Sequence, residues 1–255
     1  YGLATPALSV TYTGFRNAET SAVIDTPATA GTVATILSDV GTYDINGSGA
    51  LDNNYQFSYT PGTLTITKAT LTATSQNASR EYGAADPSFT FTYTGFRNSD
   101  DENDINTLAS GTTTATATSN AGTTHAISGS GASDNNYDFT YVDTGSLSIT
   151  KAMLTVQADN KSRELSQGAP ALTASYTGFR NGDTVTVIDT LASLSSTANS
   201  GSPIGVYTIT PSGALDNNYQ FTYIDGTFTI LADTIISSPP PASGGTIPST
   251  LPSTV

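Results

Sequence analysis

Tyr12-Thr13-Gly14-Phe15-Arg16-Asn17 occurs three times in this chain, again at residues 93–98 and at residues 176–181. Its opening tyrosines are spaced 81 and 83 residues apart. Downstream, Asp-Asn-Asn-Tyr begins at Asp52, Asp134 and Asp216, each 82 residues after the last. A closing segment follows each time: Gly62-Thr-Leu-Thr-Ile66, Gly145-Ser-Leu-Ser-Ile149 and Gly226-Thr-Phe-Thr-Ile230. Self-similarity at a fixed period is the signature of a repeat architecture, in which each repeat is one supersecondary unit. The register places repeats at residues 1–68, 69–151 and 152–232, with a Pro/Ser/Thr-rich tail over residues 233–255.

Within a repeat the pattern is that of strands. Residues 69–74 and 153–158 alternate apolar and polar side chains, as a half-buried strand does. Residues 89–93 and 172–176 form a second strand, ended by Gly95 or Gly178. A strand over residues 205–210 follows, then the aromatic run Tyr219, Phe221 and Tyr223, with equivalents at Tyr55, Phe57 and Tyr59 and at Tyr137, Phe139 and Tyr141. Asp225-Gly226 is turn chemistry that returns the chain into its closing strand. Residues 182–188 fit either a short helix capped by Asp183 or an extended segment. The expected fold class is mainly β: three tandem small β-sandwich or β-grasp-like modules, with at most one short helix each.

The boundaries carry two further expectations. Thr65-Ile-Thr-Lys-Ala-Thr-Leu-Thr72 runs from a closing strand into the next opening strand with no linker, which predicts stiff joints and an elongated rod. The first repeat lacks an opening strand, because Tyr1-Gly2 aligns with Tyr82-Gly83. A parent chain extending upstream is therefore expected. The tail reads as a spacer of polyproline II character.

Composition narrows the function. The net charge is −13, with 21 acidic and 8 basic residues, so no basic face for nucleic acid or anionic lipid is expected. No cysteine provides a disulfide, thiol nucleophile or thiolate metal site. No apolar run reaches the roughly 18 residues of a membrane span.

The opening strand, Tyr-Gly-Ala, Tyr-Thr-Gly-Phe-Arg-Asn, Gly-Val-Tyr-Thr-Ile, Asn-Tyr and Gly-Thr-Phe-Thr-Ile together resemble the MBG-type repeats of large bacterial surface adhesins, including filamentous-haemagglutinin-like exported proteins. The resemblance covers residues 1 to about 232. It implies a stalk or adhesive-repeat role at the extracellular cell surface, and no catalytic residues. Alternatives are a glycan-binding repeat module and a non-catalytic accessory segment of a secreted enzyme. Expected partners are neighbouring repeats of the same chain, surface glycans or matrix polysaccharide, or other copies in fibres. The third repeat departs at Leu165-Ser-Gln-Gly168, where Tyr-Gly is expected, and the second at Thr123-Thr-His-Ala-Ile127.

Each chemical candidate has a structural counter-reading. Asp52, Asp134 and Asp216, each followed by two asparagines, are candidate Ca²⁺ ligands by donor type. Asx residues also cap turns through their own backbone. Asp100, Asp101, Glu102 and Asp104 form an acidic stretch read as a solvated loop without counterpart in the other repeats. Arg16, Arg97 and Arg180 could bind acidic sugars, or clamp the loop to the sheet. The aromatic stripes could be a sugar platform, but core packing explains them. His125, the sole histidine, occupies the place of Tyr43 and Tyr207 and is read as packing rather than as a catalytic base. The threonine run over residues 112–118 follows from strand propensity. Asn46, Asn77 and Asn160 fit the glycosylation pattern. No cofactor is expected, calcium being the only ion considered.

Overall fold

Gly, Pro and Asx punctuation divides each repeat into strands of three to eight residues, as in β1 (Thr29–Gly31) and β2 (Gly41–Ser48). The computed structural model describes residues 1–234, so most of the expected spacer lies outside the described residues. In the first repeat β1, β2 and β3 (Gly62–Ile66) form one antiparallel sheet in that order.

The second repeat has two sheets. One is three-stranded, with β4 (Ala69–Ser75) at its centre. The strand β6 (Phe91–Thr94) runs antiparallel on one side, and β9 (Tyr137–Val142) runs parallel on the other. The other sheet has the order β5 (Ala78–Glu81), β10 (Ser146–Thr150), β8 (Thr124–Ser130) and β7 (Ser110–Thr113), with β5 parallel to β10. The opening segment thus supplies the centre of one sheet and an edge of the other. Leu71 and Ala73 from β4, Ile127 from β8 and Leu147 from β10 are wholly buried.

The third repeat follows the same plan. A sheet of β13 (Ala174–Thr177), β11 (Ala152–Ala158) and β16 (Tyr219–Ile224) accompanies one of β12 (Lys161–Glu164), β17 (Gly226–Leu231), β15 (Gly205–Ser212) and β14 (Ser193–Ser196). Ile209, Phe228 and Ile230 form its core with Ala158.

The fold class agrees with the expectation of repeated β modules. The ambiguous segment resolves into a single 3-10 turn per repeat, at Ser21–Val23, Glu102–Asp104 and Val185–Val187. One strand expectation fails. Residues 55–60 carry the same aromatic run as β9 and β16 but form no strand. A strand requires a hydrogen-bonded neighbour, and among the described residues no segment lies beside 55–60 in the place that β4 takes beside β9. By spatial clustering the chain forms two compact units. One holds Tyr1–Ala152 with Arg180–Gly182 and Asn217–Tyr219; the other holds Met153–Phe179, Asp183–Asp216 and the described residues from Gln220 to Thr234.

Candidate functional site: the joint between repeats

The three sequence signatures converge where one repeat meets the next, within the first unit. Tyr1 stands edge-on to Tyr137, with ring centroids 5.4 Å apart at 82°. Its successor Gly2 lies so close to Arg97 that an added Cβ would sit 2.3 Å from the Arg97 Cβ. Asn98 Nδ2 donates to the Ile36 carbonyl at 3.1 Å. Asn136 closes the set: its Oδ1 accepts from Val40 N at 2.9 Å, and its Nδ2 donates to Asp39 at 2.9 Å.

The same contacts recur one period on. Tyr82 meets Tyr219 edge-on at 5.6 Å and 79°. A Cβ on Gly83 would stand 2.4 Å from the Arg180 Cβ. Asn181 Nδ2 donates to Ala117 O, and Asn218 Oδ1 accepts from Ala121 N, both at 2.9 Å. Both glycines have φ near +70°, a region only glycine enters without strain.

The chain crosses each boundary under the same restraint. The Ala69 nitrogen bonds to Asn136 O, and the Ala152 nitrogen to Asn218 O, both at 2.9 Å. The ion pairs at these joints, Lys68 to Asp138 at 3.7 Å and Arg180 to Glu81 at 3.4 Å, join exposed or half-exposed side chains. Exposed pairs are worth about 0–1 kcal/mol. Packing and backbone hydrogen bonds therefore hold the joint.

The tyrosine hydroxyl organises the loop behind it. Arg97 N donates to Tyr137 Oη at 2.8 Å, and that hydroxyl donates to Asp100 Oδ2 at 2.7 Å. Burial raises the Tyr137 hydroxyl well above the ordinary tyrosine range, and the bond to Asp100 adds to this. Tyr55 repeats the arrangement with Arg16 N and Glu19, and its hydroxyl is also raised, first by the Glu19 bond. Asp100 therefore has a counterpart, which corrects the reading of this stretch as unique to one repeat. The signal was a carboxylate three residues after each motif arginine: Glu19, Asp100 and Asp183.

The candidate ligands fall into structural places. Asp52 Oδ1 accepts from Asn54 N and Tyr55 N, and Asp134 Oδ1 from Asn136 N and Tyr137 N, at 2.7 to 3.2 Å. Asp216 is buried in the equivalent turn. These carboxylates cap the turn that presents the joint asparagine. Asp101 and Asp104 form a capping box on their 3-10 turn. Among the described residues no group of three or more Asp, Glu or His side chains comes together. The stems of Arg97 and Arg180 lie against Gly2 and Gly83 at the joints, and all three motif arginines, Arg16 included, are exposed. Tyr137 and Tyr219 are 3% and 1% exposed. His125 lies between Thr114 and Thr123, each hydroxyl 3.3 Å from a ring nitrogen. Asn77 and Asn160 accept from Ser146 N and Thr227 N.

Sequence reasoning missed Arg80 and Arg163, both 7% exposed. Arg80 pairs with Asp86 and donates to the Thr116 carbonyl at 2.6 Å. Arg163 has Ala169 where Asp86 would stand, and donates instead to the carbonyls of Glu164, Leu165, Gln167 and Asn199. Nothing in one repeat of the sequence signals that an arginine at this place will be buried among carbonyls.

A family model for the MBG domain, YGX type, matches residues 1–65, 71–148 and 154–229. The chain belongs to this family. No curated protein and no solved structure matches it. The Tyr-Gly pairs at Tyr1 and Tyr82, which fit the YG of the type's label, are the residues that each MBG module offers to the next.

Proposed function

We propose that these tandem MBG modules form a non-catalytic, stiff segment of an extracellular bacterial surface adhesin. Its work is mechanical: to set distance and orientation for whatever the parent protein presents. The observation that supports this is the joint. Two successive boundaries use the same tyrosine pair, the same glycine-on-arginine contact and the same asparagine bonds, and the chain passes from closing to opening strand without a linker. A joint held by a buried ring pair and backbone bonds resists bending, whereas a Gly/Ser linker would behave as a flexible coil. Tyr137 and Tyr219 are buried at the joints and the stems of Arg97 and Arg180 lie against the joint glycines, which favours a spacer over a glycan module.

Small-angle X-ray scattering tests this reading. A compact chain of this length has a radius of gyration of about 18 Å. A stiff array gives a value well above that, unchanged by salt. A value near the compact one, or a broad distribution of shapes, overturns the proposal.

A further inference from the structure

The second and third modules place an arginine at the same point of the fold but do not give it the same partner. Arg80 lies on β5 opposite Ile149, and Arg163 on β12 opposite Ile230. Both are 7% exposed. Arg80 Nε donates to Asp86 Oδ1 at 2.5 Å, so its charge is met inside its own module. In the third module Ala169 stands where that aspartate would be. Arg163 turns Nη1 to the carbonyls of Glu164, Leu165 and Gln167 at 2.8 to 3.2 Å, and Nη2 to that of Asn199 at 3.2 Å. Among the described residues nothing accepts from its Nε, and no carboxylate pairs with it. The neighbouring carboxylates are engaged elsewhere: Glu164 accepts from Thr234 Oγ1 at 2.6 Å, and Asp233 from Ser166 N at 2.9 Å.

The space beside this arginine is open. A cavity of about 460 Å³ is lined by Arg163, Ala169, Pro170, Leu172, Ser200 and Phe228 among others, all from the third module. Among the described residues no sealed side-chain nitrogen or oxygen lacks a partner, so the unpaired Nε is reachable from solvent. Burying a charge is costly unless it is paired, and carbonyl dipoles make up for lost hydration only in part. A carboxylate entering the cavity would find a cation already desolvated and already held in place by four carbonyls. An N–H to carboxylate bond of this kind is about twice as strong as one between neutral groups.

We propose that this cavity is a binding site for an acidic peptide segment of another protein, whose aspartate carboxylate meets Arg163 as Asp86 meets Arg80. The second module supplies the template for the occupant: an aspartate followed by proline, resting on this same arginine. Charge complementarity selects the carboxylate, and the aliphatic wall of Pro170 and Leu172 suits its short methylene stem. The proline itself is kept, since Pro170 follows Ala169 as Pro87 follows Asp86. Only the carboxylate has been removed from the module, which leaves its place to a ligand. The site adds a point of recognition to a segment whose joints serve mechanics, and it makes the third module chemically distinct from the second.

The test follows the arginine Nε–H signals of the whole chain by proton–nitrogen correlation NMR. The chain has five arginines, and Arg163→Lys identifies the signal of Arg163. The probe is an acetylated and amidated Ala-Asp-Pro-Ser peptide, the sequence of residues 85–88, titrated at constant ionic strength. It should move the Arg163 signal saturably and leave that of Arg80, already paired with Asp86, in place. Ala169→Asp supplies the carboxylate from within, so it should raise the melting temperature and weaken peptide binding by at least about tenfold. The same peptide with asparagine for aspartate should not bind. No saturable shift of Arg163, an equal shift with sodium chloride or with the asparagine peptide, or unchanged affinity in Ala169→Asp would each overturn the proposal. A stronger response to glucuronate than to the peptide would assign the cavity to an acidic sugar and overturn the peptide reading.

Discussion

Tyr82 meets Tyr219 edge-on across 137 positions of sequence, with ring centroids 5.6 Å apart. Tyr1 and Tyr137 make the same contact one period earlier. An edge-to-face pair is worth about 0.5–1.5 kcal/mol beyond its area, and Tyr82 is also buried. Tyr82→Ala should therefore cost about 3 kcal/mol, in the range of large-to-small aromatic truncations. Chemical denaturation checks this, and a loss below about 1 kcal/mol would show that the joint does not depend on the ring.

Gly83→Val should be worse tolerated than its exposure suggests. The residue has φ +73, and its new Cβ would overlap Arg180. A β-branched residue in the left-handed region costs about 1–3 kcal/mol before any clash. Faster amide exchange at Ala121 and Ala152, whose N–H groups donate within that joint, is the expected readout. Unchanged exchange would separate the glycine from the joint.

Arg80→Ala should destabilise by about 3 kcal/mol, because it removes a buried hydrogen-bonded cation and strands the Thr116 carbonyl. Asp86→Ala should cost much less. Arg163 occupies the same place beside Ala169 and is held by carbonyls alone. Thermal melts of the two variants rank the contributions, and equal losses would contradict this.

Alkaline pH should weaken the fold before strong base is reached. The Tyr137 hydroxyl is raised in the folded state by burial and by Asp100. The unfolded chain releases that proton near the ordinary value of about 10, while the folded chain holds it. This stabilisation is complete below about pH 10 and is lost as pH climbs through the folded value. Tyr137→Phe should flatten the alkaline slope of the melting temperature, and an unchanged slope would assign the titration elsewhere.

Calcium should have no effect on stability. Asp52 and Asp134 use Oδ1 to cap backbone amides. Melting curves with and without chelator should coincide. Asp134→Asn should retain the cap through its amide oxygen, whereas Asp134→Ala should lose about 1 kcal/mol. A chelator-sensitive melt would return these carboxylates to a ligand role.

The sequence by itself determined the period, the module count and the β class, because each rests on local alternation and on identical segments in fixed register. It also marked Tyr-Gly, Arg-Asn and Asp-Asn-Asn as recurring, without showing what they serve. Tertiary structure decided that. Asn218 reaches Asn120 across 98 positions, and Arg180 reaches Glu81 across 99, because the residues that build one joint come from two different repeats. Residues 55–60 show the converse. Their pattern is that of β9, yet among the described residues no strand lies beside them, and a strand exists only where a neighbour accepts its hydrogen bonds.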